Sequence, residues 1–286
     1  MGEQLRHYKK RQETIKKLQA LDDSNATVLC IHYSCESFYD RPDGSTPRIT
    51  SIAVRNLSSG QTDSFSIHKT AELKGIPLNA ISPHYDSLEK EMLSEFFDFL
   101  CNHLGFTWVH WNMRDINYGF QAIEHRFRVL GGQPKVSLPE ERKFDLARAM
   151  VSLYGLKYAG HPRLESIVKL NFISDKDFLN GEQEAKAFEE GEYVKLHLST
   201  LRKADILANL FDRTLQKSLK TNASWLESHG LHPKIVTELV SEHWIWAAAV
   251  ILMALIGLIS SIFTIKDHYW PKPAVAATGT NPKTAP

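Results

Sequence analysis

The sequence predicts a mixed α/β domain followed by one long apolar helix. Three observations carry this. Runs of β-branched and aromatic residues come early, within 27–38, 48–56 and 61–68, and a fourth short run, 106–110, follows an amphipathic stretch. Beyond that fourth run the pattern is almost entirely helical. Residues 244–265, WIWAAAVILMALIGLISSIFTI, then form a 22-residue run without a charge. At about 1.5 Å of rise per residue such a helix covers roughly 33 Å, enough for a hydrocarbon core of about 30 Å.

Taken in order, residues 3–21 predict a helix with Leu5, Tyr8, Ile15, Leu18 and Leu21 near one side. Arg6, Lys9, Lys10, Arg11, Lys16 and Lys17 make it basic against Glu3 and Glu13. A solvated helix packing one stripe on the domain is the expected role; a basic arm for nucleic acid or a membrane surface is the other. Asp22, Asp23, Ser24 and Asn25 break the helix. TVLCIHYSCESF then reads as a buried strand, 48–56 as a second and 61–68 as a third, with Phe65 and Ile67 on its apolar side. Together they predict a three-stranded antiparallel meander. Residues 86–104 predict an amphipathic helix through Leu88, Met92, Leu93, Phe96, Phe97 and Leu100. Helices are expected over 116–130, 144–154, 164–172 and 183–220, the last broken near Gly191.

This divides the chain into a basic N-terminal helix (1–23), a domain (24–222), a linker (223–243), a transmembrane helix (244–265) and a disordered tail (266–286). Trp244 and Trp246 at one end of the apolar run, and Tyr269 and Trp270 past the other, are the aromatics favoured at membrane interfaces. Gly257 and Ser261 have the small-xxx-small spacing of paired membrane helices, so a homo-oligomer through this helix is an expected partner state. A net charge of +1 gives no general attraction to nucleic acid or anionic lipid. Cys30, Cys35 and Cys101 form no metal or disulfide pattern and read as reduced thiols. With no apolar signal segment, the expected location is a single-pass membrane protein with its domain in the cytoplasm.

The order of elements resembles the ribonuclease H-like 3′–5′ exonucleases with four acidic residues. In that family the first strand ends in Asp-x-Glu. Here the corresponding residues are Ser34, Cys35 and Glu36. The family's second motif, His-Asn-x-x-Phe-Asp, is similar to VHWNMRDINYGF, where His110 and Asp115 hold the spacing, Trp111 stands at the Asn position and Asn112 falls one residue late. FDLARAM resembles the Asp-bearing strand-to-helix junction through Asp145. In HLSTLRKADILANLF the apolar register places Lys203 where the last acid belongs, and a two-residue shift offers Asp205 instead. The resemblance spans roughly 27–215 and implies a ribonuclease H-like mixed sheet flanked by helices.

The family hydrolyses phosphodiesters with two divalent ions, Mg²⁺ or Mn²⁺, held by carboxylates. A Ser in place of the first Asp and a Lys in place of the last acid disfavour that pair. The reading expected here is a membrane-anchored, catalytically impaired domain that binds nucleic acid or nucleotide. Thr200, Arg202 and Lys203, with His197, are its candidate phosphate contacts. Trp108, Trp111, Tyr118 and Phe120 offer stacking rings, or core residues if strand alternation turns them inward. The alternative is an active exonuclease using Glu36, Asp115 and Asp205, with Glu36 and Asp115 on the metal; a protein-interaction scaffold is the third. Asp145 is expected to cap a helix rather than bind metal.

Overall fold

The computed structural model describes residues 2–23, 27–36, 46–114, 117–224, 237–238 and 244–269. The expected ligand Asp115, most of the expected linker and the tail past residue 269 lie outside the described residues. Contacts divide the chain into His7–Leu231, and a second unit of Met1–Arg6 with His232–Pro286.

In the first unit the sheet is mixed, in the order β3-β2-β1-β4-β5. β1 (Val28–Cys35), β2 (Ile49–Asn56) and β3 (Thr62–Ser66) form the antiparallel meander. β4 (Thr107–His110) and β5 (Lys143–Asp145) extend it in parallel on the other side of β1. β1 is therefore central, and all eight of its residues are buried. A strand covered on both faces carries a continuous apolar run instead of an alternation, as VLCIHYSC does.

The helices cover the two faces. Leu29, Ile31, Tyr33 and Cys35 belong to one core cluster with Met92, Phe96 and Leu100 of α3 (Ile81–Asn102). Val28 and Cys30 belong to another, with Leu146 and Met150 of α5 (Leu146–Tyr154) and Leu207 and Phe211 of α8 (Tyr193–Leu215). A third cluster joins α2 (Ile67–Leu73), α3, α7 (Gly181–Glu189) and the start of α8 through Ile67, Tyr85, Ala187 and Leu196. α1 (Glu3–Asp23), α4 (Phe120–Val129) and α6 (Arg163–Leu170) complete the helices numbered here within or entering this unit.

Three boundaries differ from expectation. The third strand stops at Ser66, because Ile67, Thr70 and Ala71 form the buried face of a short helix. The helix expected from residue 116 begins at Phe120. Gly119 bridges Arg114, and a Cβ there would lie 2.8 Å from the Met113 carbonyl carbon. Periodicity did not separate β5 from the helix that follows, since three residues carry too little of it, and β5 lies where FDLARAM resembles a strand-to-helix junction.

In the second unit the described elements are the first turn of α1, Thr237–Glu238 and a 26-residue helix, α9 (Trp244–Tyr269). Among the described residues no helix is long and apolar enough to cross a membrane. The continuous run of described side chains in α9 covers 248–262 only.

Candidate functional site

Strand alternation points His32 and Ser34 to the same side of β1 as Val28 and Cys30, toward α8. On α8, residues Leu196, Thr200, Lys203, Ala204, Leu207 and Phe211 are buried at helical spacing. Thr200 and Lys203 lie in its first half, and Ala204, Leu207 and Phe211 follow them. A polar cluster of side chains therefore forms where the end of β1 meets α8 and α7. A β-bulge between Ser34 and Cys35 interrupts the ladder at the same place.

Glu184 is the centre of this cluster. Its Oε1 accepts from Ser34 Oγ at 3.0 Å and from Ser199 Oγ at 3.0 Å, and lies 2.7 Å from Lys203 Nζ. Ser34 Oγ also lies 2.8 Å from Thr200 Oγ1, whose hydroxyl donates to the Leu196 carbonyl. Ser199 in turn accepts from the Leu179 amide. The Lys203 ammonium sits 5.0 Å from the centre of the Phe178 ring. α7 is fixed by a capping box, in which Asn180 accepts from the Gln183 amide and Gln183 reaches back to the Asn180 amide. That fixes which face of α7 looks inward, and Glu184 lies on it with Ala187 three residues on.

His32 flanks the cluster. Burial, and then the nearby Lys203 charge, hold its imidazole well below the usual histidine range. Among the described residues neither ring nitrogen has a hydrogen-bond partner. A histidine pair lies nearer the start of α8. His197 Nδ1 is 2.7 Å from Ser51 Oγ, its Nε2 is 3.5 Å from Ser64 Oγ, and its ring is 4.9 Å from that of His68. Burial, then His68 and Lys69, lower His197 to about 3.

The sequence-predicted residues fall in different places. Thr200 and Lys203 are in the interior, 0% and 5% exposed, so neither meets solvent in this conformation. Lys203, expected as a phosphate contact, is instead held inside by Glu184, which neutralises it. Arg202 points the other way, donating to the Lys176 carbonyl and pairing with Asp205 at 3.1 Å. Asp205 also lies 3.5 Å from Arg55, opposite Cys30 in the ladder. Glu36 lies past the far end of β1, its carboxylate accepting from the Arg48 amide at 3.3 Å. Asp205 and Glu36 therefore take different partners, Arg55 for the one and the Arg48 amide for the other.

Asp145 caps α5, accepting from the Arg148 amide, and also accepts from the Asn112 amide while its other oxygen lies 3.0 Å from Arg114 Nε. His110 accepts from the Met113 amide, and burial lowers it to about 4, against the opposing pull of Asp145. Of the rings, Trp108, Trp111 and Phe120 are buried, and Tyr118 stacks on Tyr33 at 4.6 Å. They are core residues rather than a stacking surface.

Glu184, Ser199 and His32 were not singled out by the sequence. The one signal was indirect: Asn180 and Gln183 mark the start of α7 and so its inward face. Among the described residues no group of three or more His, Cys, Asp or Glu is disposed to hold a metal ion. No family model, curated protein or solved structure matches this chain.

Proposed function

We propose that this chain is a membrane-anchored, exonuclease-like domain that binds nucleic acid or nucleotide without two-metal hydrolysis. The observation that carries the absence of two-metal hydrolysis is the Lys203–Glu184 ion pair beside Ser34, while binding rests on the resemblance alone. The resemblance assigns Ser34 and Lys203 to two positions where the family places metal-binding carboxylates. Here those positions share one carboxylate, and an internal ammonium already neutralises it. A hydroxyl and an ammonium are poor company for two dications, so the described donors do not fit a Mg²⁺ or Mn²⁺ pair. The meander followed by parallel β4 and β5 supports the ribonuclease H-like reading of the fold.

The membrane anchor is supported by α9. Its described large apolar side chains, from Trp244 to Ile262, are all at least half exposed. A helix that is apolar all round needs protein or lipid to cover it, and among the described residues these side chains stay exposed. The uncharged run 244–265 is long enough to cross a bilayer.

The test is binding by the full chain in lipid nanodiscs. Single-stranded DNA, RNA and nucleotides are titrated at rising salt. The reading expects binding to nucleic acid that weakens steeply with salt, as phosphate contacts require. Absence of binding to all three at low salt would replace it with the scaffold reading.

A further inference from the structure

We infer that Phe172, with Lys220 over one face of its ring, is a stacking platform for an unpaired base of single-stranded nucleic acid. This deepens the proposed function and rests on it, since the expected contacts Thr200 and Lys203 are interior. At 84% exposure Phe172 is the most exposed large hydrophobic residue among the described residues. Its φ is 54°, in the left-handed region that favours glycine. It ends α6: its amide donates to the Lys169 carbonyl and the Ile173 amide to the Val168 carbonyl, each at 3.1 Å. Glycine usually fills the left-handed position of a helix end closed by those two bonds. Here a phenyl ring stands there, strained at its backbone and almost bare of cover. Strain kept at an exposed ring points to a contact made outside the chain.

The ring is also held in place. Asn171, which is buried, donates from Nδ2 to the Lys220 carbonyl at 2.9 Å and accepts from the Lys220 amide at 2.8 Å. The Lys220 ammonium then lies over the Phe172 ring, 5.0 Å from its centre. One ring face therefore carries a cation that a phosphate can meet, and the exposure of the ring leaves the other for a base. Lys169 and Lys217 are exposed as well, and among the described residues none of these three lysines has a carboxylate partner. Glu165, Asp175 and Asp177 are the acids nearest in sequence, so the local charge is close to balanced. The ring, and not the charge, therefore decides the ligand, which disfavours a duplex or an anionic lipid surface bound through charge alone. The exposed chain neighbours Lys169, Ser174 and Asp175 are polar, so the ring lacks the apolar surround of a protein interface core.

The test measures binding of fluorescein-labelled oligothymidine and oligouridine by the full chain in nanodiscs, alongside urea unfolding of the same variants. Phe172→Gly should unfold at the same or a higher urea concentration, because glycine accepts the left-handed backbone. It should nevertheless bind both strands at least about fivefold more weakly. Phe172→Tyr keeps a ring and should bind within about twofold of the parent. Lys220→Gln should reduce the salt slope of binding by about one. A ring with only a structural role would move stability and leave affinity alone. If Phe172→Gly binds like the parent, the platform is overturned while the nucleic-acid reading stands. A lower unfolding midpoint in Phe172→Gly makes the ring a packing residue and overturns the platform too. Failure of the parent to bind either strand at low salt removes the nucleic-acid reading, and the platform with it.

Discussion

Lys203 Nζ lies 2.7 Å from Glu184 Oε1, with both side chains almost fully buried. They come from two helices, and Ser34 and Ser199 donate to the same oxygen. Removing one partner leaves a buried charge unpaired, which costs about 3–5 kcal/mol. Glu184→Gln and Lys203→Met should each destabilise the domain by that order in urea unfolding. The double variant should recover most of the loss. Additive losses would show that the two charges act independently.

Buried histidines make the domain sensitive to acid, His68 among them, lowered chiefly by burial. His197 is lowered to about 3, His110 to about 4, and His32 well below the ordinary 6.5, each chiefly by burial. The unfolded chain then binds protons that the folded chain refuses. Stability is fully present above about 6.5 and falls as the pH drops through the window down to the folded values. Each residue contributes a slope of up to about 1.4 kcal/mol per pH unit. His197→Gln should flatten the slope of unfolding free energy against pH within that window. Parallel curves for variant and parent would remove His197 from the account.

Gly119 is the residue that lets the segment after β4 fold back. Its hypothetical Cβ meets the Met113 carbonyl carbon at 2.8 Å and the carbonyl oxygen at 2.9 Å, both backbone atoms that cannot swing aside. Gly119→Ala should cost about 1–3 kcal/mol through overpacking. Hydrogen exchange should rise at the Arg114 and Gly119 amides. An unchanged unfolding midpoint would contradict the close approach.

Arg126 pins α4 to α3. It donates to both oxygens of Glu89, and Glu89 also accepts from the Ile49 amide, so one carboxylate joins two helices to the start of β2. Arg126→Met should lose about 3–5 kcal/mol, and Arg126→Lys should not restore it, because a single ammonium lacks the guanidinium fork. Asp86, the solvent-facing partner, is 65% exposed at its side chain. Asp86→Asn should cost less than about 1 kcal/mol. Calorimetric unfolding of the three variants ranks them.

How much of this was visible beforehand follows from the range of each interaction. The β1 run and the apolar stripe of α3 are local patterns, and the strands and helices appear where those patterns lie. The capping role of Asp145 is local too, and the structure has it. β5 and α2 are too short for their periods to register. The environment of Lys203 was not legible, because its partner sits nineteen positions earlier on another helix and nothing in the spacing links them. Lys203 and Asp205, two residues apart, illustrate the consequence: the helical turn sends one inside to Glu184 and the other outside to Arg55.

The most direct test of the central claim is incubation of the full chain in nanodiscs with end-labelled single-stranded DNA and RNA. Mg²⁺ and Mn²⁺ are supplied in turn, beside a Glu36→Gln/Asp115→Asn control. The account predicts salt-sensitive binding with no shortening in either metal. Shortening that requires metal and disappears in the control would contradict it, and would show that a hydrolytic site operates despite Ser34 and Lys203.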